Sequence, residues 1–515
     1  MSFGQSALLF LMALGMVAAS FAWQGSRGFS LWDEGFLWYG AQRVVQGEIP
    51  VRDFMSYDPG RYYWTALAMK VQGDTGIVSL RRAVAVFQCI GLFAALHLIA
   101  ATSREYRNRN VPYLLVAGLT LMLWMFPRHK LFDVSLSILS ICALAFLIRL
   151  PSARRYLLTG IFVGMIAVFG RNHGLYAVVG SAGVILWLRL LRSEGPGLIR
   201  GGMLWVAGVV VGYLPVLSMA ATVPRFGRAF VATVVALFQR GATNTSVPIP
   251  WPWRVDFSSI PSGAGLRGVL IGSFFLAIAF FGVASIVWVV RRASNTQPPA
   301  PEFVSASFLA LPYAHFAFSR ADVNHLAQGV FPFLLGVLIL LLNSPPVVKW
   351  CSVATLAFVS FWIMYAYHPG FRCMAPPGCV EVEVSRNRLW VDPGTATEIA
   401  LLRRVVRANA PHGESFFVAP FWPGAYALFE RKAPVWETYA LIPRSAKFEN
   451  EEIERLKRAG PTFALIYDLP LDGRDDLRFR NTHPLTTRFI DKNFEKAPAL
   501  GTPGLDLYLP NAAVP

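Results

Sequence analysis

Two adjacent carboxylates in apolar surroundings need a chemical reason, and Trp32-Asp33-Glu34-Gly35 places such a pair just past the first apolar run of the chain. A carboxylate at a membrane cavity can act as general base on an acceptor hydroxyl or amine, its basicity tuned by apolar surface and nearby cations. Neighbours on a helix diverge by roughly 100°, so one acid leads while the other positions it or meets a second ligand. Asp33 and Glu34 are the catalytic candidates. The pair equally suits a helix start, with Asp33 capping a helix over 35–46 and Glu34 in its first turn, and a cap does not exclude catalysis by the other acid. A second cluster follows in the same loop, Tyr57-Asp58-Pro59-Gly60-Arg61-Tyr62-Tyr63-Trp64. Its Tyr57 and Asp58 are acceptor-binding candidates, although Asp before Pro is also a common turn residue. Asp53 is a further acid of the second rank.

The complementary set is cationic: Arg61, Arg128, His129, Lys130, Arg171, His173, Arg320 and His325. Arg and Lys hold phosphate through charge-assisted hydrogen bonds, which is what a departing lipid phosphate requires. Taken singly, each reads as well as a structural charge or an interfacial anchor. Asp322 is placed to pair with Arg320, which leaves His325 as the better ligand in that turn. The chain contains no HExxH, CxxC, nucleophile elbow or P-loop, so zinc or serine hydrolysis and nucleotide-driven transport have no support. No cofactor is expected; Asp33, Glu34 and Asp58 could hold a divalent ion, but no ligand spacing argues for one.

These residues must be positioned by a membrane scaffold. Of 515 residues 55% are hydrophobic and 15% charged, with mean hydropathy +0.46, against roughly 25% charged in an ordinary soluble domain. The formal charge of +17 is read as topology signals facing anionic lipid, with no nucleic-acid partner. A helix needs about 20 mostly apolar residues to cross a bilayer, and that test finds about eleven spans. They lie near 5–23, 83–101, 111–127, 131–149, 157–170, 174–191, 202–222, 267–290, 303–318, 325–343 and 349–367. Residues 6–22 lack the basic flank and cleavage site of a secretory signal and read as a retained span.

Loops with Arg104, Arg107 and Arg109; with Arg149, Arg154 and Arg155; with Arg189, Arg192 and Arg200; with Arg291 and Arg292; and with Lys349 read as cytoplasmic. The acid loop 24–82, the turns holding Arg128-His129-Lys130, Arg171–His173 and Arg320–His325, the long loop 223–265 and everything after 368 are then outside. Basic turns on the outer face run against the positive-inside bias, and charge at such depth marks a site. In the acid loop, 35–46 and 62–71 are expected to lie in the membrane surface as interfacial helices. The 223–265 loop holds another such stretch and a Pro-rich segment, Pro248-Ile-Pro-Trp-Pro-Trp253, suited equally to a gate or a passive connector.

The sequence thus predicts an all-α polytopic membrane domain over 1–370 and a small soluble α/β domain over 371–515. Asp392-Pro393 starts a helix over 393–409. Strands are expected at 415–419, 462–467 and 505–509, and helices at 423–431, 449–459 and 484–496. Cys373 and Cys379 would pair if they face an oxidising compartment.

A first span, an outer loop with an Asp-Glu pair and two short helices, many further spans and an outer C-terminal domain together resemble the GT-C glycosyltransferases. Protein O-mannosyltransferases and lipid A aminoarabinose transferases are relatives of that kind. The resemblance covers the membrane part by layout and rests by motif on Trp32-Asp33-Glu34-Gly35 and Tyr57-Asp58-Pro59-Gly60-Arg61-Tyr62. It implies a polyprenyl-phosphate sugar donor, Asp33 as base with Glu34 supporting it, and transfer to an acceptor at the outer face. The C-terminal domain lacks the β-rich character of the protein mannosyltransferases' accessory domains, which weakens a protein acceptor beside a lipid, polysaccharide or other glycan one. An inverting transferase of a bacterial inner membrane, active on the periplasmic face, is the resulting expectation. A flippase for a lipid-linked glycan, or a membrane sensor with a periplasmic binding domain, are the alternatives; broken helices would favour the flippase.

Overall fold

A computed structural model describes residues 2–103, 110–191, 195–240, 244–293 and 298–511. Arg104, Arg107, Arg109 and Arg192, on which part of the topology reading rests, lie outside them. The chain forms two compact units that alternate along the sequence: Met1–Gly25 with Val84–Phe371, and Ser26–Ala83 with Arg372–Pro515.

The first unit is a helical membrane bundle. A helix stands at each of the eleven apolar windows, from Phe3–Gln24 to Pro346–Met364. Among the described residues seven helices are long and apolar enough to cross a bilayer, and Val323–Gly329 with Phe331–Leu342 makes an eighth if that bent pair is one span. Eleven spans are not reached on this test, because Val111–Trp124 and Ala153–Phe169 are only 14 and 17 residues long. Pro301–Ser319 has the length, but Glu302, Tyr313 and His315 dilute its apolar character. The bent pair turns by 52°, where Pro332 lacks the N–H and its ring would crowd the carbonyl of Gln328.

One helix pair shows how the bundle closes. Ala153–Phe169 carries Gly160 and Gly164, and Leu198–Thr222 carries Gly208 and Gly212. A Cβ on Gly208 would lie 2.2 Å from the Leu157 carbonyl oxygen, and one on Gly164 2.3 Å from that of Val209. In lipid, where helices gain nothing from burying apolar surface against each other, such backbone approach supplies the packing. The 223–265 loop forms the helix Phe226–Arg240, and its Pro-rich part stacks Trp251 on Trp253 at 5.3 Å and sets Trp251 6.1 Å from Phe318.

The second unit joins the first loop to the C-terminal residues. Its helix Asp33–Val45 is buried from Glu34 to Val44, so it is a core element of this unit and not the interfacial helix expected from sequence. The polar residues that suggested a wet face are satisfied inside: Gln42 donates to the carbonyls of Thr75 and Ala427, and Arg43 pairs with Glu48 at 2.7 Å. The helix Pro59–Gln72 does keep an exposed stripe of Tyr63, Leu67 and Val71, one apolar face at i, i+4, i+8.

Downstream, β1 (Val380–Val384) and β2 (Asn387–Val391) form an antiparallel hairpin absent from the sequence reading. The helix Pro393–Asn409 starts as expected, Asp392 accepting from the Thr395 amide at 3.0 Å. β3 (Phe417–Ala419), β4 (Ala464–Tyr467), β5 (Phe494–Lys496) and β6 (Leu505–Pro510) form one sheet in the order β3-β4-β6-β5, with β3 and β4 parallel and the rest antiparallel. The expected helix over 484–496 ends at Asn493, because its last residues are β5. Cys373 and Cys379 form a disulfide.

Candidate active site

Asp33 and Glu34 open their helix, with Trp32 in the cap position and no side-chain capping bond; Asp33 is therefore not the cap expected from sequence. Both acids lie in the first turn, where the helix dipole favours negative charge. Glu34 is 4% exposed, and its two oxygens meet Arg81 Nε at 2.7 Å and Nη2 at 2.8 Å. Arg81 Nη2 also donates to the Gly28 carbonyl at 2.6 Å. Glu34 thereby anchors the helix start to the chain before it.

Asp33 is only half-buried. Its Oδ1 accepts from the Tyr439 hydroxyl at 3.2 Å, and its amide is 3.3 Å from Ser30 Oγ. Aromatic side chains wall it: Trp32 stacks on Phe421 at 4.1 Å, and Phe36 meets Tyr57 edge-on at 5.0 Å and Tyr439 at 5.7 Å. Two glycines permit this wall, since a Cβ on Gly35 would fall 2.5 Å from Gly424 Cα, and Gly424 N–H donates to the Leu31 carbonyl at 2.9 Å. Next to Phe421, Trp422 holds a left-handed φ of 66°, a conformation unusual for a bulky residue.

The other first-loop candidates divide by role. Arg61 is 2% exposed and lies over the Tyr57 ring at 5.0 Å. Asp58 is 8% exposed and stands at the cap position of Pro59–Gln72 without a capping bond. Asp53 accepts from the Ile49 amide at 2.8 Å and from Arg52. Burial pushes its carboxyl up, but these donors outweigh it and leave Asp53 below the usual range.

The remaining seven cations sit in the membrane unit, six of them at the N-terminal end of a helix and Arg320 at the C-cap of Pro301–Ser319. Arg128, His129 and Lys130 form a 3-10 turn that leads into Leu131–Arg149. Arg171 and His173 open Arg171–Leu190, and Arg320 and His325 flank the start of Val323–Gly329. Cations there face the positive end of the helix dipole, so the arrangement gains from an added anion. The three starts are linked: His173 Nε2 lies 2.9 Å from Asp133 Oδ1, the His173 ring 5.8 Å from Phe316, and Phe316 5.5 Å from His325.

Within this group the side chains are not equivalent. His173 Nδ1 is 2.9 Å from the Tyr313 hydroxyl, so both ring nitrogens are engaged by protein. Arg171 reaches Thr233 Oγ1 at 3.1 Å and covers Phe230 at 4.8 Å. Arg128 donates to the Gln24 carbonyl at 3.1 Å. Arg320 pairs with Asp322 at 2.8 Å, as the sequence suggests, and donates to the Thr245 carbonyl at 3.2 Å. Asp322 also takes His325 Nδ1 at 2.8 Å, so His325 is shared with the acid and not set apart from it. His129 is buried at 7% exposure. Among the described residues no group of three or more His, Cys, Asp or Glu is placed to hold a metal.

Tyr439, Arg81, Asp133 and Tyr313 were missed in the sequence. Asp133 carried a signal, as a lone acid inside an apolar run; Tyr439 carried none, being 406 residues from its partner.

No family profile and no curated protein matches the chain. Solved structures do: the apo crystal structure of ArnT from Cupriavidus metallidurans aligns over 98% of each chain with TM-score 0.51 at 13% identity. The chain has the GT-C fold. The apo Archaeoglobus fulgidus oligosaccharyltransferase also aligns, over 99% of this chain and 74% of its own, with TM-score 0.48 and 13% identity.

Proposed function

We propose that the protein is an inverting glycosyltransferase that moves a sugar from a polyprenyl-phosphate donor to a lipid or glycan acceptor. Asp33 takes the proton of the acceptor nucleophile, Tyr57 and Asp58 bind the acceptor, and Arg61 and the seven cations of the basic turns hold the departing phosphate. The reaction needs a base, cations for developing phosphate charge and exclusion of water. The observation that carries the reading is the contrast within one helical turn: Glu34 is locked by Arg81, while Asp33 remains partly accessible in an aromatic wall. The convergence of three cationic helix starts supports the phosphate half. Placement in a bacterial inner membrane, with the C-terminal residues periplasmic, belongs to the same proposal, and the Cys373–Cys379 disulfide fits an oxidising compartment.

The test is transfer by Asp33→Asn protein from a panel of synthetic short-chain polyprenyl-phosphate glycosides, followed by mass spectrometry. Loss of a general base lowers the rate about 10²–10⁴-fold; transfer at the parent rate by a normally inserted variant sinks the assignment. One observation favours a second reading. The 52° break at Val330 is the kind of interrupted helix found at the substrate sites of secondary transporters, and a flippase would keep its activity in Asp33→Asn.

A further inference from the structure

We infer that Tyr439, from the C-terminal part of the chain, is the positioning residue that orients Asp33 for catalysis. The inference rests on Asp33 being the base. Residues 434–445 include no helix or strand, yet the segment around Tyr439 is fixed from several directions. The Trp436 carbonyl accepts from the Met55 amide at 2.8 Å, and the Trp436 indole donates to the Val51 carbonyl at 2.9 Å. Glu452 Oε2 accepts from the amides of Trp436 and Glu437 at 2.8 and 3.1 Å. Glu437 is buried between Arg444 and His483, and the Ala440 amide donates to Pro420 at 3.1 Å.

A loop held this firmly presents one side chain in one place. Tyr439 is that side chain: its ring packs on Phe36 and its hydroxyl donates to Asp33 Oδ1 at 3.2 Å. The bond ties one carboxylate oxygen to a donor of fixed position. It also fixes the rotation of the carboxylate, so that proton abstraction starts from one geometry.

The test compares Tyr439→Phe, Tyr439→Leu and Asp33→Asn in the full-length protein, on the same panel of polyprenyl-phosphate glycosides. Tyr439→Phe keeps the ring on Phe36 and removes only the hydroxyl. A hydrogen bond to a charged group corresponds to about a tenfold effect or more, so kcat is expected to fall about tenfold with KM and melting temperature unchanged. A merely structural tyrosine would tolerate Phe and lose melting temperature in Leu. Full kcat in Tyr439→Phe with Asp33→Asn inactive overturns this inference alone; full activity in Asp33→Asn overturns the reading beneath it.

Discussion

The carboxylate of Glu34 and the guanidinium of Arg81 meet through two bonds, with their side chains 6% and 0% exposed. Removing one partner strands the other charge in the interior. Breaking such a pair costs about 3–5 kcal/mol, whereas replacing both partners by packed apolar groups can be nearly neutral. Glu34→Gln is therefore expected to lower the melting temperature markedly, and Glu34→Met with Arg81→Met to recover most of it. Transfer assays on the double variant separate the roles: recovered activity makes Glu34 an anchor, and a stable but inactive protein makes it part of the chemistry. Glu398 offers a pH test of the same unit. Burial first, and the neighbouring Asp392 second, push its carboxyl up to about 7 from an ordinary 4.5. Between those values the folded chain holds a proton that the unfolded chain has released, so this group's contribution to stability falls as pH rises from 4.5 to 7. Melting curves of Glu398→Gln are expected to match the parent near pH 4 and to lie above it at pH 8; parallel curves at both would refute the assignment.

Periodicity made the long elements legible. Every apolar window became a helix, and the pair Asp392-Pro393 marked its helix to the residue, because caps and 3.6-residue stripes are local properties. The three-residue strands β3 and β5 and the hairpin β1–β2 were blurred or lost, being too short for a period to register. The burial of Asp33–Val45 was misread for a different reason: its polar residues find partners at Thr75 and Ala427, which no window around residue 40 contains. The glycine pairs of Ala153–Phe169 and Leu198–Thr222 were legible in principle as G-x-x-x-G but gained meaning only when they faced each other. At this scale Gly208→Leu is the informative change. Its side chain would start 2.2 Å from the Leu157 carbonyl, so the helices must separate. The expected result is a lower melting temperature and a lower yield of folded protein in detergent; behaviour like the parent would mean that the pair moves apart without cost.

At the level of the whole molecule, the acid unit is built from two segments separated by nearly 290 residues, Ser26–Ala83 and Arg372–Pro515. A boundary near 370 is natural from composition, and it puts the first loop in the membrane domain. The structure places that loop with the C-terminal residues because its buried helix needs them: Trp32 stacks on Phe421, Tyr39 lies 5.7 Å from Tyr426, and the Tyr39 hydroxyl accepts from the Ala433 amide at 3.0 Å. Backbone bonds tie the segments as well, with Gly28 N–H donating to Trp390 and Trp390 N–H to Ser26 at 2.7 and 2.9 Å. Deleting residues 380–515 therefore removes Tyr439 from Asp33 and uncovers a helix that has no wet face. An autonomous membrane enzyme core would retain some transfer activity after that deletion. The expected outcome is instead an inserted protein without transfer activity, whose first loop is cut by protease between 26 and 83 where the parent resists. Supplying 372–515 as a separate chain in the same cells tests the cause, since the two segments meet through side chains and hydrogen bonds: returned protease resistance would follow from joint folding, and a first loop that resists protease in the deletion protein alone would show that it folds without its partner segment.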